Sequence, residues 1–245
     1  MAKNSSSLSI FIICKNEEKI IAKTLSQARK LADEIILVDS GSKDKTLEIA
    51  REFACKISYH NWEGYGKQKN YAMSLCKNEW LLSLDADEIM TDGLIQEIKF
   101  WLSSNPEATV FKIPRKLFIG DKFIRWGAFY PDHQLRLFKR NSGLFTEVSV
   151  HEGFKPKDTY VKIVKLQYPL EHFAYDSVED LEKTFYHYAR LFEASRRGFI
   201  LALTKSIYTF CYKYFFRLGF LDAGIGLKLA LINAKYSFMK YENRL

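Results

Sequence analysis

Three carboxylates stand together in Asp85-Ala86-Asp87-Glu88, directly after an apolar run over residues 80–84. Carboxylates two positions apart at the end of a strand can turn to one side and together hold a hard divalent cation. Mg²⁺ and Mn²⁺ are commonly bound by one or two carboxylates plus substrate phosphate oxygens, so a diphosphate is the natural third partner. The sequence therefore predicts a Mg²⁺ or Mn²⁺ site at Asp85 and Asp87.

A second polar loop, Asp39-Ser40-Gly41-Ser42-Lys43-Asp44-Lys45-Thr46, follows another apolar run and leads into a helix. One interpretation is a turn in which Gly41 takes a positive φ and Ser42 or Asp44 caps the helix. The functional interpretation gives Asp39 a hydrogen bond to a nucleoside. Both interpretations put this loop beyond the end of a strand.

Alternating strands and helices must position these loops. The isoleucine-rich run over 8–14 is typical of a strand buried on both faces, and Asn16 is expected to cap the helix that follows it. Further strands are predicted at 35–38, 56–60 and 80–84, and further helices at 46–54, 67–75 and 92–103. This alternation predicts a Rossmann-like, doubly wound, mostly parallel α/β sheet whose ligands bind beyond the carboxyl ends of the strands.

The pattern changes after residue 103. Period-two alternation predicts short strands at 110–114, 134–139 and 163–167, which would extend the sheet in a mixed or antiparallel way. Amphipathic helices are predicted at 177–197, 199–217 and 222–241. We therefore expect a catalytic domain over 1–175, with a nucleotide-binding half at about 8–103 and an acceptor half at about 104–175, followed by a helical region over 176–245.

Charge and cysteine content limit the setting. The formal charge of +8 and the isoelectric point near 9.1 predict attraction to polyanions, which include nucleic acid, anionic lipid and phosphorylated small molecules. The four cysteines lack C-x-x-C spacing and are expected to be buried thiols in a reducing compartment. No signal peptide or long apolar span is evident, which predicts a cytoplasmic location.

Several motifs, taken in order, resemble those of family 2 glycosyltransferases with the GT-A fold. They are Ile12–Glu18, Val38–Thr46, Gln68-Lys69-Asn70 and Leu84–Glu88. Tyr130–Phe138, Val150-His151-Glu152 and Arg217–Asp222 further resemble a bacterial subgroup that includes lipopolysaccharide core β-glucosyltransferases. The resemblance implies an inverting, metal-dependent enzyme that moves a hexose from a nucleotide sugar, most commonly a UDP-sugar in this family, to a lipid-linked saccharide.

The resemblance also implies roles for single residues. Asp39 would contact the nucleobase or ribose, Asp87 and Asp85 would reach the metal and diphosphate, and Lys69 stands where the family often has an arginine. Lysine lacks the bidentate fork of arginine, and Lys45 replaces the family's usual glycine in the second loop. The expected nucleotide-sugar-binding residues are Lys15, Asn16, Glu17, Asp39, Gly41, Lys69 and Asp85.

Inversion requires a base that deprotonates the acceptor hydroxyl. Asp132 is the first choice because it resembles the acidic position that serves this role in the family, and Glu88 and Glu152 are alternatives. Asp132 follows Pro131 and could instead cap a turn. His151 could supply an imidazole ligand to the metal or be a hydrogen-bonded structural residue.

Three more residues have weaker assignments. Arg136 and Arg140 could contact phosphate or be ordinary solvated arginines, and the sequence gives His172 no definite place.

The segment from Phe199 to Tyr241 mixes aromatic residues with lysines, which is typical of helices in an anionic membrane interface. The alternatives for these helices are packing on the catalytic domain and dimerisation.

Two other functions are weighed against the transferase. A nucleotidyltransferase would usually carry a glycine-rich loop after the first strand, where this chain has Lys15-Asn16-Glu17-Glu18. A non-catalytic protein that binds nucleic acid fits the charge but leaves the Asp85–Glu88 carboxylates unexplained, because they repel phosphate without a metal. We therefore expect no nucleic-acid partner and place the enzyme at the inner face of the cytoplasmic membrane.

Overall fold

A computed structural model describes residues 7–104, 106–147, 153–191 and 198–242 of the 245-residue chain. The chain forms two compact units. The first comprises Met1–Arg115 and His133–His172, and the second comprises Lys116–Asp132 and Phe173–Leu245. The second unit therefore includes a short segment from the middle of the sequence as well as the C-terminal helices.

Strands and helices alternate through the first hundred residues, as predicted. The strands are β1 (Leu8–Cys14), β2 (Glu34–Asp39), β3 (Lys56–Tyr59), β4 (Trp80–Asp85), β5 (Glu88–Met90), β6 (Val110–Ile119), β7 (Lys122–Ile124), β8 (Asp132–Lys139), β9 (Gly143–Phe145), β10 (Phe154–Pro156), β11 (Ile163–Lys165) and β12 (Leu170–Tyr175). The helices are α1 (Ile21–Arg29), α2 (Thr46–Arg51), α3 (Tyr65–Ser74), α4 (Asp92–Ser103), α5 (Val178–Leu191), α6 (Phe199–Cys211) and α7 (Ala223–Glu242).

The main sheet runs in the order β3-β2-β1-β4-β8-β6-β12-β5. Its first four strands are parallel, and β8 pairs antiparallel with β4. The chain adds β2 and β3 on one side of β1 and then adds β4 on the other side, so the strand order reverses between β1 and β4. Open α/β sheets bind ligands at the carboxyl ends of the strands beside such a reversal. The predicted α/β sheet is present, and it is mixed from β8 onward.

Helices cover both faces of the parallel strands, which explains why β1 is apolar apart from Ser9. Ile10 and Ile12 join the cluster formed with α1 and α4, whereas Phe11 and Ile13 join the cluster on the opposite face with α3. A strand buried on both faces favours apolar residues. The carboxylates Asp39 and Asp85 stand at the last positions of their strands, and Asp87 follows β4.

Several element boundaries differ from the prediction. Asn16 does not cap a helix: α1 begins at Ile21, and Asn16 has a φ of +57° within the preceding loop. The predicted helix at 46–54 ends at Arg51, and the predicted helix at 199–217 ends at Cys211 and continues as a π-helical turn over Tyr212–Phe216. The short strand predicted at 110–114 extends to Ile119.

The second unit has its own core, in which apolar side chains from β6 and β7 pack against the C-terminal helices. Buried residues in this core are Ile119, Ile124, Leu181, Leu229 and Ile232. Among the described residues, no helix is both long enough and apolar enough to cross a membrane.

None of the four cysteines forms a disulfide. Cys14 and Cys76 are buried, and Cys55 and Cys211 are half-buried. Burial raises the pKa of Cys76 to about 12, so its thiol stays protonated and unreactive at neutral pH. Thiols in this state are structural.

Candidate functional site

The loops that the sequence singled out meet at one edge of the sheet. β1 pairs with both β2 and β4, and its last residues face Asp39 in β2 and Asp85 in β4. All three strands are parallel, so their carboxyl ends, and the loops that begin at Lys15, Asp39 and Asp85, lie at the same edge. This is the edge beside the reversal of strand order, where an α/β sheet binds ligands.

Asp85 is held between two cations. Its Oδ1 lies 3.0 Å from Lys69 Nζ, and its Oδ2 accepts a hydrogen bond from Arg136 Nη2. Burial opposes ionisation of this carboxyl, but the positive charges of Arg136 and Lys69 outweigh burial and hold the pKa of Asp85 well below its usual range. Asp85 is therefore ionised at any physiological pH.

Glu88 belongs to the same charge network and is fully buried. Its Oε1 accepts from Arg136 and from Arg115, whose Nη1 lies 3.3 Å away, and its Oε2 accepts from the backbone N–H of Asp85 at 3.0 Å. Both oxygens of Glu88 therefore face protein donors. This carboxylate fixes the backbone of Asp85 and the position of Arg136.

Asp87 pairs with a residue that the sequence did not place. Its Oδ2 lies 3.2 Å from Nε2 of His172, and the two side chains are 24% and 14% exposed. His172 comes into reach because β12 pairs antiparallel with β5, with His172 opposite Glu88. The sequence signal that could have indicated this contact is β5, the short strand directly after Asp87. A strand needs a neighbouring strand as its hydrogen-bonding partner, and a residue of that neighbour then lies near Asp87.

The loop after β1 is locked to the loop after β2. Asn16 donates its backbone N–H to Ser42 Oγ at 2.9 Å, and its Oδ1 accepts from the Lys43 N–H at 2.8 Å. Glu17 donates its N–H to Thr46 Oγ1 at 2.7 Å. These bonds explain the left-handed backbone of Asn16, because they use its side chain to join two strand ends rather than to cap a helix.

The pKa of the Glu17 carboxyl is raised. Burial, together with the negative charges of Asp87, Asp44 and Asp85, raises the pKa of Glu17 to about 7. Burial contributes most to this shift, and the three neighbouring carboxylates add to it. A cation bound nearby would oppose the repulsion from these carboxylates.

Asp39 organises its own loop. Its carboxylate accepts from the N–H groups of Gly41, at 2.8 Å, and Ser42, at 3.0 Å. Gly41 has the positive φ predicted for it, at +90°. Gln68 of α3 supports the same loop through a 2.8 Å hydrogen bond from its Nε2 to Ser40 Oγ. The predicted φ of Gly41 is confirmed, but the predicted cap by Ser42 or Asp44 is wrong, because Lys45 is the N-cap of α2 and makes no side-chain capping hydrogen bond. The nucleoside role of Asp39 remains a prediction.

The remaining predicted residues differ in where they belong. Asp132 belongs to the second unit, where it begins β8. His151 and Glu152 lie outside the described residues. Arg136 is buried against carboxylates rather than displayed to phosphate, and Arg140 donates to the Cys76 carbonyl at the amino end of β4, opposite Asp85.

Comparison with known proteins assigns the chain to a family. The family model described as Glycosyl transferase family 2 matches residues 9–158. An uncharacterized glycosyltransferase of Rickettsia typhi is 31% identical over 95% of this chain and 85% of its own length. The lipopolysaccharide core biosynthesis glycosyltransferase LpsC of Rhizobium meliloti is 31% identical over 61% of this chain and 57% of its own length.

Solved structures show the same fold at lower identity. Glucosyl-3-phosphoglycerate synthase from Mycobacterium tuberculosis, in complex with Mn²⁺, UDP and phosphoglyceric acid, aligns with a TM-score of 0.54 at 16% identity over 74% of this chain and 75% of that chain. S. aureus TarS 1–349 in complex with UDP aligns with a TM-score of 0.51 at 18% identity over 95% of this chain and 80% of that chain. The sheet and its helices are those of the GT-A fold, and the chain belongs to glycosyl transferase family 2.

Proposed function

We propose that this protein is a metal-dependent, inverting glycosyltransferase that moves a hexose from a UDP-sugar to a hydroxyl of a lipid-linked glycan. The observation that carries the proposal is the juxtaposition of the Asp87–His172 pair with the cation-held Asp85 at the carboxyl edge of the sheet. The cluster combines ligands for a divalent ion with fixed positive charge, and a nucleoside diphosphate needs both.

The residues present fit a divalent metal. Adjacent ligands of an octahedral ion at about 2.1 Å lie about 3 Å apart, and Asp87 Oδ2 and His172 Nε2 are separated by 3.2 Å. Among the described residues no three His, Cys, Asp or Glu side chains form a complete metal cluster, so the donor's phosphate oxygens would supply the remaining ligands. Mixed oxygen and imidazole ligands suit Mn²⁺, with Mg²⁺ as the alternative. The ion, when bound, supplies charge that stabilises the departing diphosphate.

The ligand set that we propose differs from the predicted one at two residues, His151 and Asp85. Asp87 stays the principal ligand, and His172 takes the imidazole role that the sequence gave to His151. Asp85, already paired with Lys69 and Arg136, orients the site and contacts the donor. Lys69, with Lys15 from the neighbouring loop, would face the diphosphate, and Asp39 with Gly41 would face the nucleoside.

For the base we retain Asp132 as the first choice and Glu152 as the alternative. Glu88 is the least suited of the candidates, because both of its oxygens already accept hydrogen bonds from protein donors and it has no exposed surface. A base must reach the acceptor hydroxyl itself. Direct attack by a hydroxyl activated in this way inverts the anomeric centre.

The acceptor and setting are proposed from the relatives and the charge. The similarity to LpsC supports a role in lipopolysaccharide core or other cell-envelope glycan synthesis. The net charge of +8 suits an enzyme that meets a lipid-linked acceptor on an anionic membrane surface. We propose a peripheral location on the inner face of the cytoplasmic membrane.

The test is release of nucleoside diphosphate from a panel of UDP-, GDP- and ADP-sugars with Mn²⁺ or Mg²⁺, with and without a crude lipid acceptor extract. We expect metal-dependent turnover of one donor, reduced about 100-fold or more in Asp87→Asn and His172→Gln. Binding of Mn²⁺, followed by electron paramagnetic resonance in the presence of UDP, should weaken in the same variants. Asp92→Asn is the matched control, because Asp92 is an exposed residue of α4 whose ion pair among the described residues is with Lys30 alone. Absence of binding and turnover of every donor would refute the proposal.

A further inference from the structure

The second unit exposes an unusual concentration of large apolar side chains where the chain turns from α6 to α7. These side chains, which we call the apolar tip, are Phe215, Phe216, Leu218, Phe220 and Leu221, with exposed fractions of 55%, 79%, 39%, 44% and 50%. Single exposed apolar residues are ordinary in soluble proteins, but a contiguous group marks an interaction surface.

The exposed surface continues along α6. Ile200, Leu203 and Ile207 are 81%, 43% and 56% exposed and recur at helical spacing, so they share one side of the helix. The side that contacts α7 carries the small residues Ala202, which is buried, and Ser206, whose Oγ donates to the Ala234 carbonyl at 2.9 Å. The small residues of α6 therefore face α7, and its branched apolar residues face outward. A helix that only packs on its neighbour would bury the branched apolar residues instead.

The apolar tip is rigidly built. The buried Asp222 carboxylate accepts from the Trp126 N–H at 2.8 Å, and the Gly127 N–H donates to the Arg217 carbonyl at 2.9 Å. Gly226 of α7 lies so close to the turn that an added Cβ would stand 1.9 Å from the Gly219 carbonyl oxygen. These contacts hold the exposed rings on a fixed scaffold, so their exposure is a property of the fold.

Charge around this surface has one sign. Residues 199–242 contain five lysines, Arg217 and only two acidic residues, of which Asp222 is buried and Glu242 lies at the far end of α7. Lys205, Arg217 and Lys228 are exposed among the apolar residues. A symmetric contact between two copies would bring these like charges together. An anionic surface with an apolar interior complements both features.

We propose that the apolar tip and the outer side of α6 insert into the interface of an anionic lipid bilayer, with Lys205, Arg217 and Lys228 against the headgroups. Aromatic and aliphatic side chains would lie at the acyl boundary, and no segment would span the membrane. The inference rests on the proposed function in one respect: membrane binding would bring the enzyme to a lipid-linked acceptor.

The experiment is co-sedimentation of the full chain with vesicles of phosphatidylglycerol and phosphatidylethanolamine, compared with vesicles of phosphatidylcholine alone. We expect binding to the anionic vesicles and a loss of at least about tenfold in apparent affinity in Phe216→Ser/Leu221→Ser, because each side chain loses burial in the acyl boundary. Phe100→Ser is the matched control, since Phe100 is 64% exposed on α4 of the first unit. Lys205→Glu/Lys228→Glu should weaken binding selectively for anionic vesicles, whereas Lys99→Glu on α4 should not.

Retained vesicle binding by Phe216→Ser/Leu221→Ser, or no binding of the wild type to either vesicle, would overturn the inference. A wild-type dimer that this double variant converts to monomer, without vesicle binding, would assign the surface to a second copy and likewise overturn it. Thermal unfolding of each variant checks that the fold is intact. Binding of Mn²⁺ in the presence of UDP and the absence of lipid tests the proposed donor site separately, and the apolar-tip variants should leave it unchanged.

Discussion

Arg136 sets the electrostatic balance at the carboxyl edge of the sheet. Its guanidinium contacts both Asp85 and Glu88, and it is only 5% exposed. Removing one partner of a buried ion pair leaves a charge that neither water nor protein stabilises, which typically costs 3–5 kcal/mol. We therefore expect Arg136→Met to lower the free energy of unfolding by about 3 kcal/mol, measured by urea denaturation at pH 7.

Arg140→Met provides the control for this change. Arg140 is exposed, and its side chain donates to the Cys76 carbonyl at 3.1 Å, so its loss should cost no more than about 1 kcal/mol. Equal losses in the free energy of unfolding of the two variants would mean that the buried ion pairs of Arg136 stabilise the fold no more than the exposed hydrogen bond of Arg140 does.

Glu17 predicts a pH dependence with a definite sign. Its folded-state pKa of about 7 lies above the ordinary value of 4.5, so the folded protein keeps a proton that the unfolded chain releases. Stability associated with that proton is present below about pH 4.5 and is lost as the pH rises to about 7. Glu17→Gln should therefore gain stability relative to wild type by about 1 kcal/mol between pH 5 and pH 8, a value reduced for partial exposure.

The measurement is the difference in free energy of unfolding between Glu17→Gln and wild type across this pH range. Glu48→Gln, which changes an exposed glutamate of α2, controls for the loss of a carboxylate. A constant difference between Glu17→Gln and wild type at every pH would contradict the raised pKa.

Single residues were predictable where their role depends on the local chain. The sequence places Asp39, Asp85 and Asp87 at the strand ends because each follows an apolar strand. It names Arg136 and His172 but not their partners, because those partners lie 51 and 85 positions away and meet them only through strand pairing. Alternation along one strand gives no information about which carboxylate the neighbouring strand presents.

At the scale of elements, α3 connects three parts of the first unit. Gln68 reaches the loop after β2, Lys69 reaches Asp85, and Asn70 exchanges two hydrogen bonds with the backbone of Phe145, at 2.9 and 3.0 Å. Three consecutive residues point in different directions around the helix, so the position of α3 sets all three contacts together.

Gly66 allows α3 to approach the chain after β9. A Cβ at this position would lie 2.1 Å from the Thr146 carbonyl oxygen, so Gly66→Ala must displace the helix or the backbone that it meets. We expect a loss of about 1–3 kcal/mol in stability and, because Lys69 follows on the same helix, weaker donor binding. Thermal denaturation and calorimetric titration with the donor would measure the two effects.

Gly153→Ala is the matched control, since a Cβ there would meet no atom of the described residues within 4 Å. A wild-type response in Gly66→Ala would show that the contact with Thr146 relaxes without consequence for the site.

The order of the elements could largely be predicted from the sequence, because apolar runs and helical spacing identify β1 to β4 and α4 directly. The conformation of the loop after β1 could not. Asn16 follows a strand and precedes a helix, which favours a helix cap, but its hydrogen bonds to Ser42 and Lys43 join two loops 26 and 27 positions apart. Tertiary hydrogen bonds outweighed the local preference there.

At the scale of the whole molecule, the two compact units do not divide the chain at one point. The sequence predicts a catalytic domain over 1–175, yet Lys116–Asp132 belongs to the same unit as the C-terminal helices. Ile119 and Ile124 are buried there with Leu181, Leu229 and Ile232. A middle segment that completes the core of a C-terminal unit leaves no mark in hydrophobic periodicity.

This interleaving makes truncation after Tyr175 a test of the domain arrangement. The truncated chain would expose Ile119 and Ile124, worth about 1.5–3 kcal/mol each when buried, and would lose the hydrogen bond from Trp126 to Asp222. We therefore expect the 1–175 fragment to aggregate or to be cleaved rapidly by protease within 116–132, while the full chain resists cleavage there. The full chain carrying Phe216→Ser/Leu221→Ser is the control, because it changes exposed residues of the same unit and keeps the core. The opposite outcome is a soluble 1–175 fragment in which residues 116–132 resist protease as well as they do in the full chain. The segment would then fold without the C-terminal helices, and the domain boundary would lie after residue 175.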